Sequence, residues 1–344
     1  MLRSGYRRTN VLVLSTVLAL GLAACGDDGD DDGDSAGSSQ TTVAAPQGEP
    51  VVTIDMIDHA FQVSGPLTAG GTIRLNNKGA EFHMVAFGKF KPGKTITDLQ
   101  RVLSALAPPG GAGGAGATTT TTRPAATTTT TRATGTTSTT AAPAPADPTA
   151  EVVDDLGLPG GFMGPGESVE LTVPNLQPGT YALLCFIPSE GDGAPHYAKG
   201  MVNQLEVVAG TAPAPPTADA TYKITPSKAI EGPATLTPGK HTLKLEVAAG
   251  SQDLEPGLAR LNAGTTFQRL DTALGGLFEG DQPPAKGAAS RVPGQVVFGG
   301  FDFDAVTTLY LTVDLKAGNY TLVADDTDIV KPGIPTELIN IRVA

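Results

Sequence analysis

The sequence predicts an all-β chain made of two tandem β-sandwiches, each with one short helix. Two observations support this prediction: short apolar runs of strand composition separated by turn residues, and one pattern that occurs twice along the chain. The 43 glycines and 28 prolines lie mainly between the apolar runs. Such a distribution favours strands and turns over helices.

The repeated pattern has three matching parts. Residues 69–75 and 90–99 match residues 239–245 and 261–270, and further on residues 176–184 match residues 315–323. Fewer residues separate segment 176–184 from its match than separate segment 90–99 from its match, because the first copy contains an insertion between these two segments. We therefore define a first copy, residues 50–209, and a second copy, residues 219–344.

The insertion, Pro108–Ala150, is a Gly/Ala stretch followed by Thr, Pro and Ala. It cannot bury a core, so it is predicted to be a disordered loop, and it is either an O-glycosylated tract or an unmodified spacer. Residues 210–218, rich in Pro and Ala, are predicted to form a semi-stiff linker between the copies. The two sandwiches can either pack together or swing on this linker.

Composition and periodicity locate the main elements. Five strands are predicted, at Val51–Met56, Thr72–Leu75, Ser168–Val173, Tyr181–Phe186 and Val202–Val208. Two helices are predicted, at Thr97–Leu106 and Thr266–Leu277.

The N-terminus has the composition of an export signal. Three arginines precede an apolar run, Val11–Leu22, which is short for a membrane span and ends Leu22-Ala23-Ala24-Cys25. This ending resembles the lipobox of bacterial lipoproteins. The resemblance implies a signal peptide over residues 1–24, lipidation of Cys25 and attachment to the extracytoplasmic side of the cell membrane. The alternative is an ordinary secretory signal that contains a cysteine. Residues 25–49, rich in Asp, Gly and Ser, predict a disordered acidic tether.

The chain is acidic, with a formal net charge of -12. Removal of the signal peptide would take away basic residues and make the mature chain more acidic still. Because phosphate backbones repel such a surface, nucleic acid is excluded as a partner.

Four residues form a candidate metal site. Cys185 ends a predicted strand, His196 follows in a Gly/Pro loop, Met201 precedes the closing strand, and His83 lies on an earlier segment. A thiolate, two imidazoles and a weak thioether are the set that suits copper in electron transfer. If Cys25 is lipidated, Cys185 is the only other cysteine and cannot form an intramolecular disulfide. Taken singly, the four residues are also compatible with a buried cysteine, a hydrogen-bonded histidine, a surface histidine and a core methionine.

This order of residues resembles the cupredoxins, the blue-copper family that includes plastocyanin. The resemblance implies a Greek-key sandwich and one type 1 copper ion bound by His83, Cys185, His196 and Met201. Two features depart from plastocyanin: ten residues separate Cys185 from His196, and Met84 stands where plastocyanins have an asparagine.

The second copy lacks the predicted ligands. In the alignment of the two copies the positions of His83, Cys185, His196 and Met201 are taken by Leu254, Ala324, Pro332 and Glu337. This absence predicts a docking or structural role for the second copy. His59 and His241 lie outside the ligand pattern, and we expect them to be structural.

The sequence therefore predicts a membrane-anchored type 1 copper protein that acts as an extracytoplasmic one-electron carrier between redox proteins. The alternatives are a copper-handling lipoprotein without electron transfer and a metal-free two-domain binding or adhesion lipoprotein. We expect no enzyme. Copper oxidases and nitrite reductases need further histidines, typically beside the cysteine ligand, whereas Leu184 and Phe186 flank Cys185 and the chain has four histidines.

Overall fold

The computed structural model describes residues 51–106, 148–154, 160–225, 229–248, 255–278, 282–299, 308–325 and 337–344. The predictions for the signal peptide, Cys25, the acidic tether and residues 107–147 of the insertion lie outside the described residues. Within the described part of the chain, neither helix combines the length and the apolar composition that a membrane crossing requires.

The first copy is built from short strands. In chain order its described elements are β1 (Val51–Ile57), β2 (Ala60–Val63), β3 (Leu67–Thr68), β4 (Thr72–Asn77), β5 (His83–Phe90), α1 (Ile96–Leu106), β6 (Val153–Asp154), β7 (Gly161–Met163), β8 (Ser168–Thr172), β9 (Gly179–Leu184) and β10 (Val202–Val208). Buried residues alternate with more exposed ones along β1 and β4, as expected for strands with one face on a core.

The second copy is likewise built from short strands and one helix. Its described elements are β11 (Ala220–Ile224), β12 (Ile230–Glu231), β13 (Thr235–Leu236), β14 (Gly239–Val247), β15 (Glu255–Leu261), α2 (Phe267–Phe278), β16 (Gly294–Phe298), β17 (Thr308–Leu315), β18 (Gly318–Asp325) and β19 (Glu337–Val343). The predicted strands and both predicted helices are confirmed, with small shifts at their ends. The last residues of the insertion belong to a 3₁₀ turn, Pro148–Glu151, in which Thr149 is buried.

The described strands form three main sheets, one of which is shared by the two copies. The shared sheet has the order β12-β11-β14-β17-β8-β4-β1-β2. The first copy adds a sheet of order β3-β10-β9-β5-β6, with β7 paired to β5, and the second adds β13-β19-β18-β15-β16. Equivalent strands therefore follow the same order in both copies. The prediction of a mostly β chain is confirmed.

The sheets do not confirm the predicted two tandem sandwiches, because one sheet runs through both copies. Strands β8 and β17 pair antiparallel from Val169↔Val313 to Tyr310↔Thr172 and so join the copies into one sheet. Without this pairing each strand would be an edge with unpaired N–H and C=O groups. The two copies therefore pack together rather than swing on residues 210–218.

One buried apolar row crosses the shared sheet through both copies. Directly paired residues along the row are Val52, Ile73, Leu171, Leu311, Leu243 and Ala220. Cross-strand pairs of this kind are the unit of sheet stabilisation. The core is thus continuous across the copies.

Glu170 of β8 also links the copies. Its carboxylate accepts hydrogen bonds from Arg74 Nε (3.1 Å) on β4 and from Lys240 Nζ (3.3 Å) on β14. Partial burial raises the pKa of Glu170, but the bonds to Arg74 and Lys240 outweigh burial and hold that pKa below its ordinary value. Since these groups are partly exposed, the ion pairs contribute only modestly to stability.

Candidate metal centre

The sheet of the first copy brings His83 and Cys185 to one end. His83 is the first residue of β5, and Cys185 directly follows the last residue of β9. These strands are antiparallel neighbours, with Ala86 opposite Leu184. The N-terminal end of β5 therefore lies beside the C-terminal end of β9.

The segment after Cys185 folds back over this end of the sheet. The N–H of His196 donates to Ile187 O (2.9 Å), and that of Tyr197 donates to Cys185 O (2.9 Å). His196 opens a 3₁₀ turn, His196–Lys199, which Gly200 ends in the left-handed region at φ 109°. A residue with a Cβ adopts this backbone conformation with difficulty.

Three of the four predicted ligands converge. Cys185 Sγ lies 3.3 Å from His196 Nδ1, and His83 Nδ1 lies 3.0 Å from His196 Nδ1. One ligand atom from each residue lies within 4.8 Å of the other two. All three residues are 0% exposed.

Met201 is also buried, and its main chain touches the other ligand positions. Its N–H donates to His196 O (3.0 Å), while Cys185 N–H donates to Met201 O (3.4 Å). The structure thus brings His83, Cys185 and His196 together through their side chains and places Met201 beside them through its backbone.

Asn77 organises the turn that carries His83. Its side-chain Nδ2 donates to Glu81 O (3.0 Å) and Met163 O (3.0 Å), and its Oδ1 accepts from Gly79 N (3.0 Å). Asn77 therefore bonds both to the turn and to Met163 of β7, the residue that pairs with His83. The turn is therefore held against the strand that leads into the site.

Glu81 sets the orientation of His196. The carboxylate Oε2 lies 3.1 Å from His196 Nε2 and accepts a second bond from Glu190 N (2.8 Å). A carboxylate can only accept, so Nε2 carries the proton of a neutral imidazole and Nδ1 presents its lone pair toward Cys185 and His83.

His59, which we expected to be structural, lies at this site. Its Nε2 is 2.9 Å from Ser189 Oγ, and its ring centroid is 4.9 Å from that of His196. Sequence reasoning missed both His59 and Glu81, although Glu81 lies two residues before His83. His241 lies on β14, where its Nε2 contacts Thr237 O (2.7 Å).

Burial keeps the candidate ligands neutral. It lowers the pKa of His83 to about 3, with smaller effects from His196 and His59, and it raises the pKa of Cys185 to about 12. Burial also lowers the pKa of His196, opposed by the hydrogen bond and charge of Glu81. Met84 N–H donates to Cys185 Sγ (3.4 Å), a contact that favours a thiolate.

These residues fit a type 1 copper site. A sulfur and two imidazole nitrogens meet in a water-excluded space, which is the donor set expected for such a centre. For both Nδ1 atoms to bind one ion, His83 must carry its proton on Nε2. This atom is buried and has no hydrogen-bond partner among the described residues.

No protein-family model and no curated protein matches the chain. Among solved structures, the chain is similar to reduced auracyanin from the photosynthetic bacterium Roseiflexus castenholzii, with 19% identity, 46% of this chain and 96% of that chain covered, and a TM-score of 0.24. Auracyanin B gives 19% identity, 46% and 88% coverage, and a TM-score of 0.23.

A multicopper oxidase matches over 86% of this chain and 88% of its own, with 11% identity and a TM-score of 0.20. Other copper oxidases also match over 85–87% of the chain, and these matches contradict our expectation that the chain is not an enzyme. At such low identity and TM-score these likenesses assign no activity to the chain.

Proposed function

We propose that the chain binds one type 1 copper ion and transfers single electrons through it. The observation that carries this proposal is the convergence of Cys185 Sγ with the Nδ1 atoms of His83 and His196 in a buried space. Met201, whose backbone lies beside these ligands, is proposed as the weak fourth ligand. A centre of this composition suits electron transfer.

The protein's own residues prepare the site for the metal. Copper, when bound, supplies the one-electron change of oxidation state. Cys185 must lose its proton to bind, and the N–H of Met84 stabilises the resulting thiolate. Glu81 holds His196 with Nδ1 free to ligate, and burial excludes water from the ligand atoms.

We also propose that each copy is a cupredoxin-like Greek-key sandwich, with one of its sheets forming half of the shared sheet. The identical strand order of the two copies supports this assignment. The second copy carries none of the four ligands at the aligned positions.

The location of the protein is a proposal from the sequence. The motif that ends at Cys25 supports lipid attachment on the extracytoplasmic side of the membrane, and the acidic residues that follow support a solvated tether. The partners there would be other redox proteins, with which the copper site would exchange electrons.

A copper titration tests the proposal. The detergent-solubilised full-length protein should develop an intense visible thiolate-to-copper band that saturates at one equivalent of Cu(II). Cys185→Ser should remove the band and leave the fold intact, whereas His241→Ala, outside the site, should retain it. Persistence of the band in Cys185→Ser, or its absence from the unmodified protein, would refute the copper assignment.

Voltammetry of the copper-loaded protein then tests electron transfer. A reversible one-electron wave is expected. Copper that binds tightly but cannot be cycled would support a copper-handling function instead.

A further inference from the structure

The segment between Cys185 and His196 rests on the second copy. The carboxylate of Glu190 accepts hydrogen bonds from the N–H groups of Gly287 and Ala289, the latter at 2.8 Å. The next residue, Gly191, donates its N–H to Pro284 O at 2.6 Å. Residues of the other copy therefore hold this segment at the backbone N–H of Gly191 and at the side chain of Glu190.

The geometry explains why an acidic residue holds this contact. Ala289 begins a 3₁₀ turn, Ala289–Arg291, and the first N–H groups of such a turn have no partner within it. A carboxylate satisfies these donors and gains from its charge, since ionised hydrogen bonds are stronger than neutral ones. Glu190 thus caps a turn of the second copy while it belongs to the ligand-bearing segment of the first.

A continuous chain of hydrogen bonds leads from this contact to the metal site. The backbone N–H of Glu190 donates to Glu81 Oε2 (2.8 Å), and the same oxygen accepts from His196 Nε2 (3.1 Å). The position of Glu190 therefore determines where the Glu81 oxygen lies, and this oxygen orients the imidazole of His196.

A second, separate contact reaches the segment that carries His83. Phe278 of α2 packs edge-on against Phe82 (5.6 Å between ring centroids) and Phe162 (5.5 Å). Phe82 immediately precedes His83, and β7, which contains Phe162, pairs with β5 at His83 and Met84. The second copy hence touches both of the segments that bring the candidate ligands together.

We infer that the second copy positions the metal-binding loop of the first, with Glu190 as the positioning residue. Contacts made by the second copy, which lacks the ligands, thereby hold His196 in its ligating orientation before a metal binds. Holding the loop in advance removes part of the ordering cost of binding. The identity of the bound metal rests on the proposed function, whereas the positioning of His196 does not.

Glu190→Gln is the variant that tests this inference. It keeps the size of the side chain but replaces one carboxylate oxygen by an NH2 group, which cannot accept a hydrogen bond from a backbone N–H. In the metal-free protein we expect hydrogen exchange of the backbone amides of residues 189–194 and 196, and of the His196 ring N–H, to become about tenfold faster, equivalent to about 1.4 kcal/mol. Glu206→Gln, at an exposed acid on β10, is the matched control and should change neither rate.

The outcomes separate this inference from the proposed function. Unchanged exchange at the His196 ring in Glu190→Gln would overturn the positioning role, even if the backbone of the loop became more open. If Glu190→Gln fails to fold, Glu190→Asp shortens the reach of the carboxylate and is judged by the same two rates. The copper band of the unmodified protein is measured separately, so its absence would reject copper binding and leave the exchange result to decide the positioning of His196.

Discussion

Gly79 is the position where one added methyl group tests the assignment of His83. A Cβ at Gly79 would overlap the buried imidazole of His83, with Nε2 as its nearest contact, Cδ2 at 2.9 Å and Asp58 N at 3.2 Å. The backbone of Gly79 cannot withdraw without cost, because its N–H donates to Asn77 Oδ1. In Gly79→Ala the ring of His83 must therefore move.

The expected magnitude has two parts. Overpacking of a well-filled interior costs about 1–3 kcal/mol of unfolding free energy. Movement of the ring also disturbs the 3.0 Å approach between His83 Nδ1 and His196 Nδ1. We therefore expect Gly79→Ala to lower the affinity for Cu(II) by at least about tenfold in addition to its effect on stability.

Gly232→Ala is the matched control. Its Cβ would overlap the ring of Tyr222 in the second copy, so it should lower the unfolding free energy by a similar amount. It touches none of the candidate ligands, and its affinity for Cu(II) should match that of the unmodified protein.

Denaturant unfolding of the metal-free proteins measures the stability cost, and competitor-buffered Cu(II) titration of the visible band measures affinity. If Gly79→Ala binds copper with unchanged affinity and an unchanged band, His83 is not a ligand. Equal loss of copper by Gly232→Ala would show that general destabilisation, rather than displacement of His83, explains the effect.

Three further predictions follow from the site and the shared sheet. Met201→Leu should retain copper and raise the reduction potential in voltammetry, because it removes a weak axial donor; complete loss of copper would contradict this role. At pH 7–8 the thiol of Cys185 is protonated and the imidazoles of His83 and His196 are neutral, because burial raises the pKa of Cys185 and lowers the pKa of both histidines. Copper binding should then release one proton, so competitor-buffered affinity should rise about tenfold per pH unit, and a slope of two would refute this account. Glu170→Gln should cost about 1 kcal/mol in denaturant unfolding at pH 7. Because the pKa of Glu170 is lowered in the folded state, this difference should be full above the ordinary glutamate value and should fade as the pH falls through the folded value. A difference that persists in strong acid would rule out the charge as its cause.

Local patterns were sufficient to predict much of the fold. Runs of strand composition predicted β1 and β4, because β-branched side chains suit a pleated sheet. Apolar positions three and four apart predicted α1 and α2, because this spacing places side chains on one face of a helix. The order of Cys185, His196 and Met201 before a closing strand identified the segment that forms the candidate site. The structure places two of these side chains together with His83.

Other features depend on contacts between residues far apart in the chain. Nothing in the local pattern of β8 or β17 shows that these strands pair with each other, since any strand with a free edge can accept a neighbour. The hydrogen bond between Glu81 and His196, the approach of His59 and the contact of Glu190 with the second copy all join distant segments.

The sequence alone thus predicted five strands of the first copy, both helices, the repeat and the donor types of the candidate site, because each follows from composition, spacing or side-chain chemistry. Only the tertiary structure decided that the two copies share a sheet and that Glu81 and Glu190 hold His196 in place. The physical reason is that a hydrogen bond depends on the distance and angle between two groups, and the folded chain sets both.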